Sequence, residues 1–287
     1  MIDKLAIIGV GLIGSSLALA LKQVAAVGQV VGHGRNRENL EKGVELGVID
    51  SFETSVAAAV RDADMIVVAV PLGAMQAVFA ELKTSVSQNA VITDVGSAKA
   101  SVVAAASAEL GDLLPRFVPG HPIAGTEKSG VESGFPTLYE NRRVILTPLA
   151  DTDQQAVAAV DQMWRHCGAT LEYLSVEHHD KVLAATSHLP HMLAYALVHQ
   201  LSHMNDHEEI FRYASGGFRD FTRIASSDPV MWRDVCISNG DALVALIEQY
   251  QLELGRISAA IKIKDADELL KLFGRAKSER DLLIGNC

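Results

Sequence analysis

The sequence predicts an α/β fold in which a doubly wound parallel sheet is followed by an all-helical region. Three observations carry this. Short apolar runs alternate with stretches of helical spacing up to residue 174, three glycines fill the first turn between such a pair, and β-branched clusters cease beyond about Ser175. The expected division is 1–174 for the sheet domain and 175–287 for the helices.

Leu5-Ala6-Ile7-Ile8 reads as the first strand, Ser15 to Val27 as a helix, and Gln29 to Gly32 as the second strand. Arg37 to Leu46 has helical character and is closed by Gly47. The unbroken apolar run from Asp64 to Val70, stopped by Pro71, fits a parallel strand buried on both faces. A helix from Ala74 to Val86 and a strand from Ala90 to Val95 follow, the strand halting at Gly96-Ser97. The helix Lys99 to Leu110 then leads to Arg116-Phe117-Val118-Pro119 and a polar, glycine-rich loop, Gly120 to Gly134. Strands at Val144 to Thr147 and Ala169 to Tyr173 bracket a helix from Asp153 to Cys167. In the helical region, Asp228 as N-cap and Pro229 at the first position open a long helix running toward Ile263. Its apolar positions Val235, Leu243, Leu246, Ile247, Tyr250 and Leu254 exceed what a small region covers alone, so a homodimer built on these helices is expected.

The glycines stand in Gly9-Val-Gly-Leu-Ile-Gly14, after a strand and before a helix, as the first turn of a dinucleotide-binding Rossmann domain requires. Gly9 permits the tight turn, Gly11 lets amides approach a pyrophosphate, and Gly14 allows close packing of helix on strand. Leu12 and Ile13 within the turn, with Val70 and Pro71 at the end of the apolar run, are expected beside the cofactor. The second strand ends in His33-Gly34-Arg35-Asn36-Arg37, with no acid to hold a ribose 2'-hydroxyl and no carboxylate to repel a 2'-phosphate. NADP is therefore favoured, with Arg35 as the phosphate contact and NAD as the alternative.

A net charge of -10 argues against nucleic acid or an anionic membrane as partner. Cys167, Cys236 and Cys287 are widely spaced and contain no Cys-x-x-Cys pair, which fits reduced thiols rather than a metal or disulfide framework. The N-terminus reads as strand rather than signal peptide, and a cytoplasmic protein is expected.

Ligands of open α/β sheets sit beyond the carboxyl ends of the strands. Ser97 and His121 both fall there, and a histidine, with an ordinary pKa near ~6.5, is a natural base beside a cofactor. The helical region offers His188 with His191, and Arg219 with Arg223 four apart, spaced either to grip a dicarboxylate or to pair with Asp220 or Asp228. His199, His203 and His207 share one helix side but lack the partners of a zinc site, and no metal is expected. His178-His179-Asp180 reads as structural.

Taken together, Gly9 to Gly14, Asp94-Val-Gly-Ser-Ala-Lys99, Gly120-His-Pro-Ile-Ala-Gly-Thr-Glu-Lys-Ser-Gly130, Ser187-His-Leu-Pro-His191, Gly217 to Ala225 and Met231-Trp-Arg-Asp234 resemble the prephenate and arogenate dehydrogenases of tyrosine biosynthesis. The resemblance implies a helical dimerisation domain and oxidative decarboxylation of prephenate or arogenate. It implies that His121 takes the proton of the ring 4-hydroxyl and that Ser97 hydrogen-bonds His121 or that hydroxyl. It places Arg223 on a substrate carboxylate, His191 on the substrate side, and Thr126 with Glu127 in the loop closing over the site. Many relatives carry aspartate where this chain has Gly34. The wider group of β-hydroxyacid dehydrogenases and imine reductases relies on a helical-domain lysine, for which Lys181 is available, but the histidine blocks argue against that reading, and intact Ser97, His121 and Arg223 argue against a non-catalytic cofactor sensor.

Overall fold

The computed structural model describes residues 1–285, which fall into two compact units, one from Met1 to Gly240 and the other from Asp241 onward. The first begins with β1 (Ile2–Ile8), α1 (Leu12–Gln23), β2 (Val27–His33), α2 (Arg37–Glu45), β3 (Ser51–Glu53), α3 (Val56–Ala59), β4 (Met65–Val68), α4 (Met75–Leu82), β5 (Val91–Asp94), α5 (Lys99–Glu109) and β6 (Phe117–Val118). The six strands are parallel in the order β3-β2-β1-β4-β5-β6, so the winding reverses between β1 and β4. Alternate residues bury on opposite faces. Leu5, Ile7, Val30 and Val67 belong to one core with Leu17 and Leu21 of α1, whereas Ala6, Ile8, Ile66 and Val68 meet Phe79 and Phe117 in the other. Burial on both faces is why these strands read as continuous apolar runs.

The first helix starts at Leu12 and ends at Gln23, shorter at its C-terminal end than its spacing predicts, because Ala25 takes φ 51° and turns the chain into β2. The late strands do not extend the parallel sheet. β7 (Gly120–Pro122), β8 (Arg143–Leu146) and β9 (Thr170–Tyr173) make a separate three-stranded sheet, with α6 (Gln154–His166) between the last two. β7 runs antiparallel to β8 and pairs His121 with Ile145. The sequence reads Gly120 onward as loop because this strand is three residues long and carries no apolar run.

Helices follow throughout: α7 (Val176–Leu183), a widened π turn at Ala184–His188, α8 (Leu189–Ser202), α9 (His207–Arg212), α10 (Gly216–Thr222) and α11 (Pro229–Ser238). The change from strand to helix thus falls near Ser175, while the compact units divide at Gly240. The helices between are tied to the sheet. Asp180 of α7 accepts the amides of Lys99 and Ala100 at 2.7 and 2.8 Å, and Asp234 of α11 accepts that of Gly73 at 3.2 Å.

Asp228 does cap α11, accepting the Met231 amide at 2.8 Å, but the long helix breaks at Asn239. There the buried side chain donates to the Asp180 carbonyl at 2.8 Å and approaches His188 Nδ1 at 3.2 Å, fixing the backbone off the helical path. The second unit is built from α12 (Gly240–Ile263) and α13 (Ala266–Gly285), linked by an Arg256–Glu268 ion pair at 3.3 Å. Among the described residues, no helix is long and apolar enough to cross a membrane. Cys287 lies outside the described residues.

Candidate active site

The glycine turn has the shape a dinucleotide needs. Gly9 adopts φ +109°, and a Cβ there would lie 2.3 Å from the Ala69 carbonyl oxygen, so any side chain would push β4 away from β1. A Cβ on Gly14 would meet the Gly9 carbonyl oxygen at 2.4 Å and Ile7 at 2.8 Å, which is the close packing of α1 on its strand. Gly11 is the N-cap of α1 and would meet nothing within 4 Å, leaving its surroundings open at a helix N-terminus that carries no acidic residue. Leu12 and Ile13 begin that helix, and Val70 with Pro71 follows β4 across the winding reversal. These residues fit a dinucleotide pyrophosphate. Asn39 braces the turn, donating to the Val10 carbonyl at 2.7 Å and accepting from the Val131 amide at 3.0 Å.

Beyond the end of β2 lies a cleft of about 380 Å³, lined among others by His33, Gly34, Arg35, Arg37, Ser55 and Glu81. Arg37 is committed to Glu41 at 2.8 Å and lies over the Phe52 ring. Arg35 is exposed and makes no ion pair among the described residues. The local sequence shows no carboxylate here, but α4 brings in Glu81 from a distant part of the chain.

The histidine expected as base is held from two directions. From below, Asp94 and Lys99 form a fully buried ion pair at 2.5 Å, with Asp94 also accepting the Gly96 amide at 2.7 Å. Lys99 Nζ donates to the Gly120 carbonyl at 2.5 Å and Asp94 accepts the Gly120 amide at 3.2 Å. Both backbone polar groups of the residue before His121 are thereby fixed to the end of β5. A buried pair satisfied in this way sets geometry more than it adds stability. From the side, His121 Nδ1 lies 2.8 Å from His179 Nε2, and His179 Nδ1 lies 2.8 Å from Asp180 Oδ1. Burial holds the His121 pKa well below 6.5, reinforced by His179, Lys99 and His188. Burial lowers His179 too, although its bond to Asp180 opposes this. For Asp180, burial favours the neutral acid, but the hydrogen bonds from His179 and the two α5 amides outweigh it and keep the carboxyl low.

Among the described residues the hydrogen-bonding partner of the His121 ring is His179, so of the two roles expected for Ser97, a bond to His121 or to the substrate hydroxyl, the first is not made. Ser97 is half-buried in the turn between β5 and α5. The local sequence gives no sign of the His179 contact, which joins residues 58 apart through the docking of α7 on α5.

The remaining residues gather around α8. His191 donates from Nδ1 to the Ser187 carbonyl at 2.8 Å and stacks on Trp232 with 3.7 Å between ring centroids. His188 is fully buried in the π turn, and burial pushes its pKa down to about 4. Arg223 is the C-cap of α10, with its amide donating to the Arg219 carbonyl, so the two arginines stand one helical turn apart. Arg223 also opens a 3-10 turn, Arg223–Ser226, that packs on α8, and its ion-pair partner is Glu127 rather than Asp220 or Asp228. Thr126 is exposed and accepts the Lys128 amide at 3.2 Å, shaping the loop that carries Glu127. His207 lies on α9, so it does not share a helix side with His199 and His203, and no metal-holding group of His, Cys, Asp or Glu occurs among the described residues. Lys181 is exposed on α7.

Residues 17–173 match the family model described as prephenate dehydrogenase, nucleotide-binding domain, and residues 175–275 match that described as prephenate dehydrogenase, dimerization domain. The chain is 38% identical to the cyclohexadienyl dehydrogenase of Zymomonas mobilis over 280 residues, spanning 96% of this chain and 94% of that one. The prephenate dehydrogenase of A. aeolicus, solved with hydroxyphenyl propionate and NAD+, superimposes with a TM-score of 0.91 at 38% identity over 99% of both chains. The arogenate dehydrogenase of Synechocystis gives a TM-score of 0.80 at 28% identity over 98% of this chain and 99% of that one.

Proposed function

Because this chain belongs to the prephenate dehydrogenase family, we propose that it oxidatively decarboxylates prephenate, arogenate or both, with NADP favoured over NAD as hydride acceptor. The observation that carries the reading is His121, an imidazole kept neutral by burial at the carboxyl end of the parallel sheet, on the side of the glycine turn. His121 accepts the proton of the ring 4-hydroxyl. Ser97, in the neighbouring turn, orients that hydroxyl. A bound nicotinamide would supply the hydride acceptor for that ring carbon. Departure of the ring carboxylate as carbon dioxide leaves an aromatic product and makes the step strongly downhill, so the protein's task is to position and deprotonate.

Arg223 binds a substrate carboxylate, which competes with Glu127 for the guanidinium. Thr126 and Glu127 form the closing loop, and His191, backed by Trp232, borders the substrate. Gly9, Gly11, Leu12, Ile13, Gly14, Val70 and Pro71 would hold the cofactor, with Arg35 contacting a 2'-phosphate. Residues 1–174 hold the cofactor and bring the base and the closing loop to the substrate, and 175–287 add the remaining substrate contacts and a homodimer.

The test is an initial-rate assay at the reduced-nicotinamide absorbance band, crossing prephenate and arogenate with NAD and NADP. Turnover with either substrate supports the reaction and the better cofactor tests the Arg35 argument. No turnover in any combination would overturn the proposal.

A further inference from the structure

The cluster left unexplained by the catalytic reading is His179 with Asp180. We propose that they are positioning residues which determine the tautomer of His121, and so which of its nitrogens is free to accept a proton. The argument runs outward from Asp180. Its Oδ1 accepts the Lys99 amide at 2.7 Å and its Oδ2 the Ala100 amide at 2.8 Å, at the N-terminus of an eleven-residue helix that favours negative charge. An ionised carboxylate only accepts hydrogen bonds, so across the 2.8 Å contact with Oδ1 the donor is His179 Nδ1. A neutral imidazole carries one N–H, which leaves His179 Nε2 as an acceptor. The 2.8 Å contact between His179 Nε2 and His121 Nδ1 then takes its proton from His121. With Nδ1 protonated, His121 Nε2 holds the free lone pair.

The same chain serves the proton transfer. The substrate hydroxyl gives its proton to His121 Nε2, the resulting imidazolium keeps its Nδ1–H on His179, and the fixed negative charge of Asp180 lies one ring further on. Had His179 been protonated, both its nitrogens would donate, His121 Nδ1 would have to accept, and Nε2 would carry the proton instead. Buried Lys99 and the burial of His179 itself both oppose that state.

The kinetic part rests on the reading of His121 as base, but the tautomer does not, so two measurements separate them. Long-range proton–nitrogen correlation spectra of the full-length protein with isotope-labelled histidine, at neutral pH, are assigned with His121→Asn and His179→Gln. Both rings are expected as the Nδ1–H form. A proton on His121 Nε2 overturns the proposal without reference to activity. In the assay, His179→Leu should lower kcat about 10- to 100-fold with substrate KM changed by less than about threefold, since only the positioning of the base is lost. His179→Gln, whose amide oxygen still accepts from Nδ1, should recover most of that loss. Wild-type kcat in His179→Leu, or no rescue by Gln in a folded protein, overturns it. A wild-type enzyme inactive on prephenate and arogenate would instead sink the assigned reaction and leave the spectra to decide the tautomer.

Discussion

His121 concentrates the chemistry of the site, and two expectations belong to it alone. Replacing it by Asn keeps a polar side chain of smaller size but removes the basic nitrogen. kcat should fall by ~10² or more, with cofactor affinity unchanged, because His121 lies on β7 and not in the glycine turn. Comparing steady-state rates with a binding titration checks both halves, and wild-type turnover would remove His121 from the mechanism. The second expectation concerns pH. The imidazole must be neutral to accept a proton, and burial places its pKa well below 6.5 in the folded protein. Protonation therefore disables the base only at acid pH, and the acid limb of kcat/KM, which reports the free enzyme, should lie below pH 6.5 and not at it. A limb at or above that value would mean that another group titrates or that the ring is solvated.

The β1–α1 turn shows what local sequence discloses. Gly9 and Gly14 are demanded by contacts within a few residues of the turn or by the neighbouring strand end, so strand, glycines and helix could be recognised together. The apolar strands were equally visible, because burial on both faces writes itself into consecutive residues. Long-range docking left no such mark. The Glu127–Arg223 pair spans 96 positions, and Glu81 reaches the cofactor cleft from α4. The antiparallel strand under His121 consists of Gly-His-Pro, which has no strand pattern, and the break at Asn239 depends on the Asp180 carbonyl. The β2–α2 turn is a place where the local reading can be tested directly. A Cβ on Gly34 would meet only Leu40 Cδ2, at 3.6 Å, so a side chain is accommodated without strain. Gly34→Asp supplies a carboxylate that accepts from a 2'-hydroxyl and repels a 2'-phosphate. It should shift the ratio of kcat/KM for NADP over NAD by about 10- to 100-fold toward NAD, and Arg35→Ala should weaken NADP alone, by about tenfold. Equal loss with both cofactors would show that Arg35 does not read the phosphate.

The unit from Asp241 onward exposes Leu252 and Ile263 along one side of α12 and Leu254 and Ile261 along the other, with Leu270 and Phe273 on α13. Two helices joined by a short turn cannot cover that much apolar surface by themselves, and single exposed leucines are ordinary where a row of them is not. The family model covering 175–275 is described as a dimerization domain, and the exposed apolar surface of α12 and α13, with Leu252 and Ile263 on one side of α12, gives that description a physical basis. A second copy of the chain offers the same face, so a twofold arrangement removes it from water on both subunits at once. The net charge of -10 would oppose association, so the contact must be carried by apolar burial and should persist at high salt, where charge repulsion is screened. Analytical ultracentrifugation should give the mass of two chains at low and at high ionic strength. The combined variant Leu252→Asp with Ile263→Asp adds two charges per subunit to that face and should shift the equilibrium to monomer by at least about a hundredfold in dissociation constant, with helix content retained. A wild-type chain that sediments as a monomer, or a double variant that still dimerises with native affinity, would move the interface away from these helices.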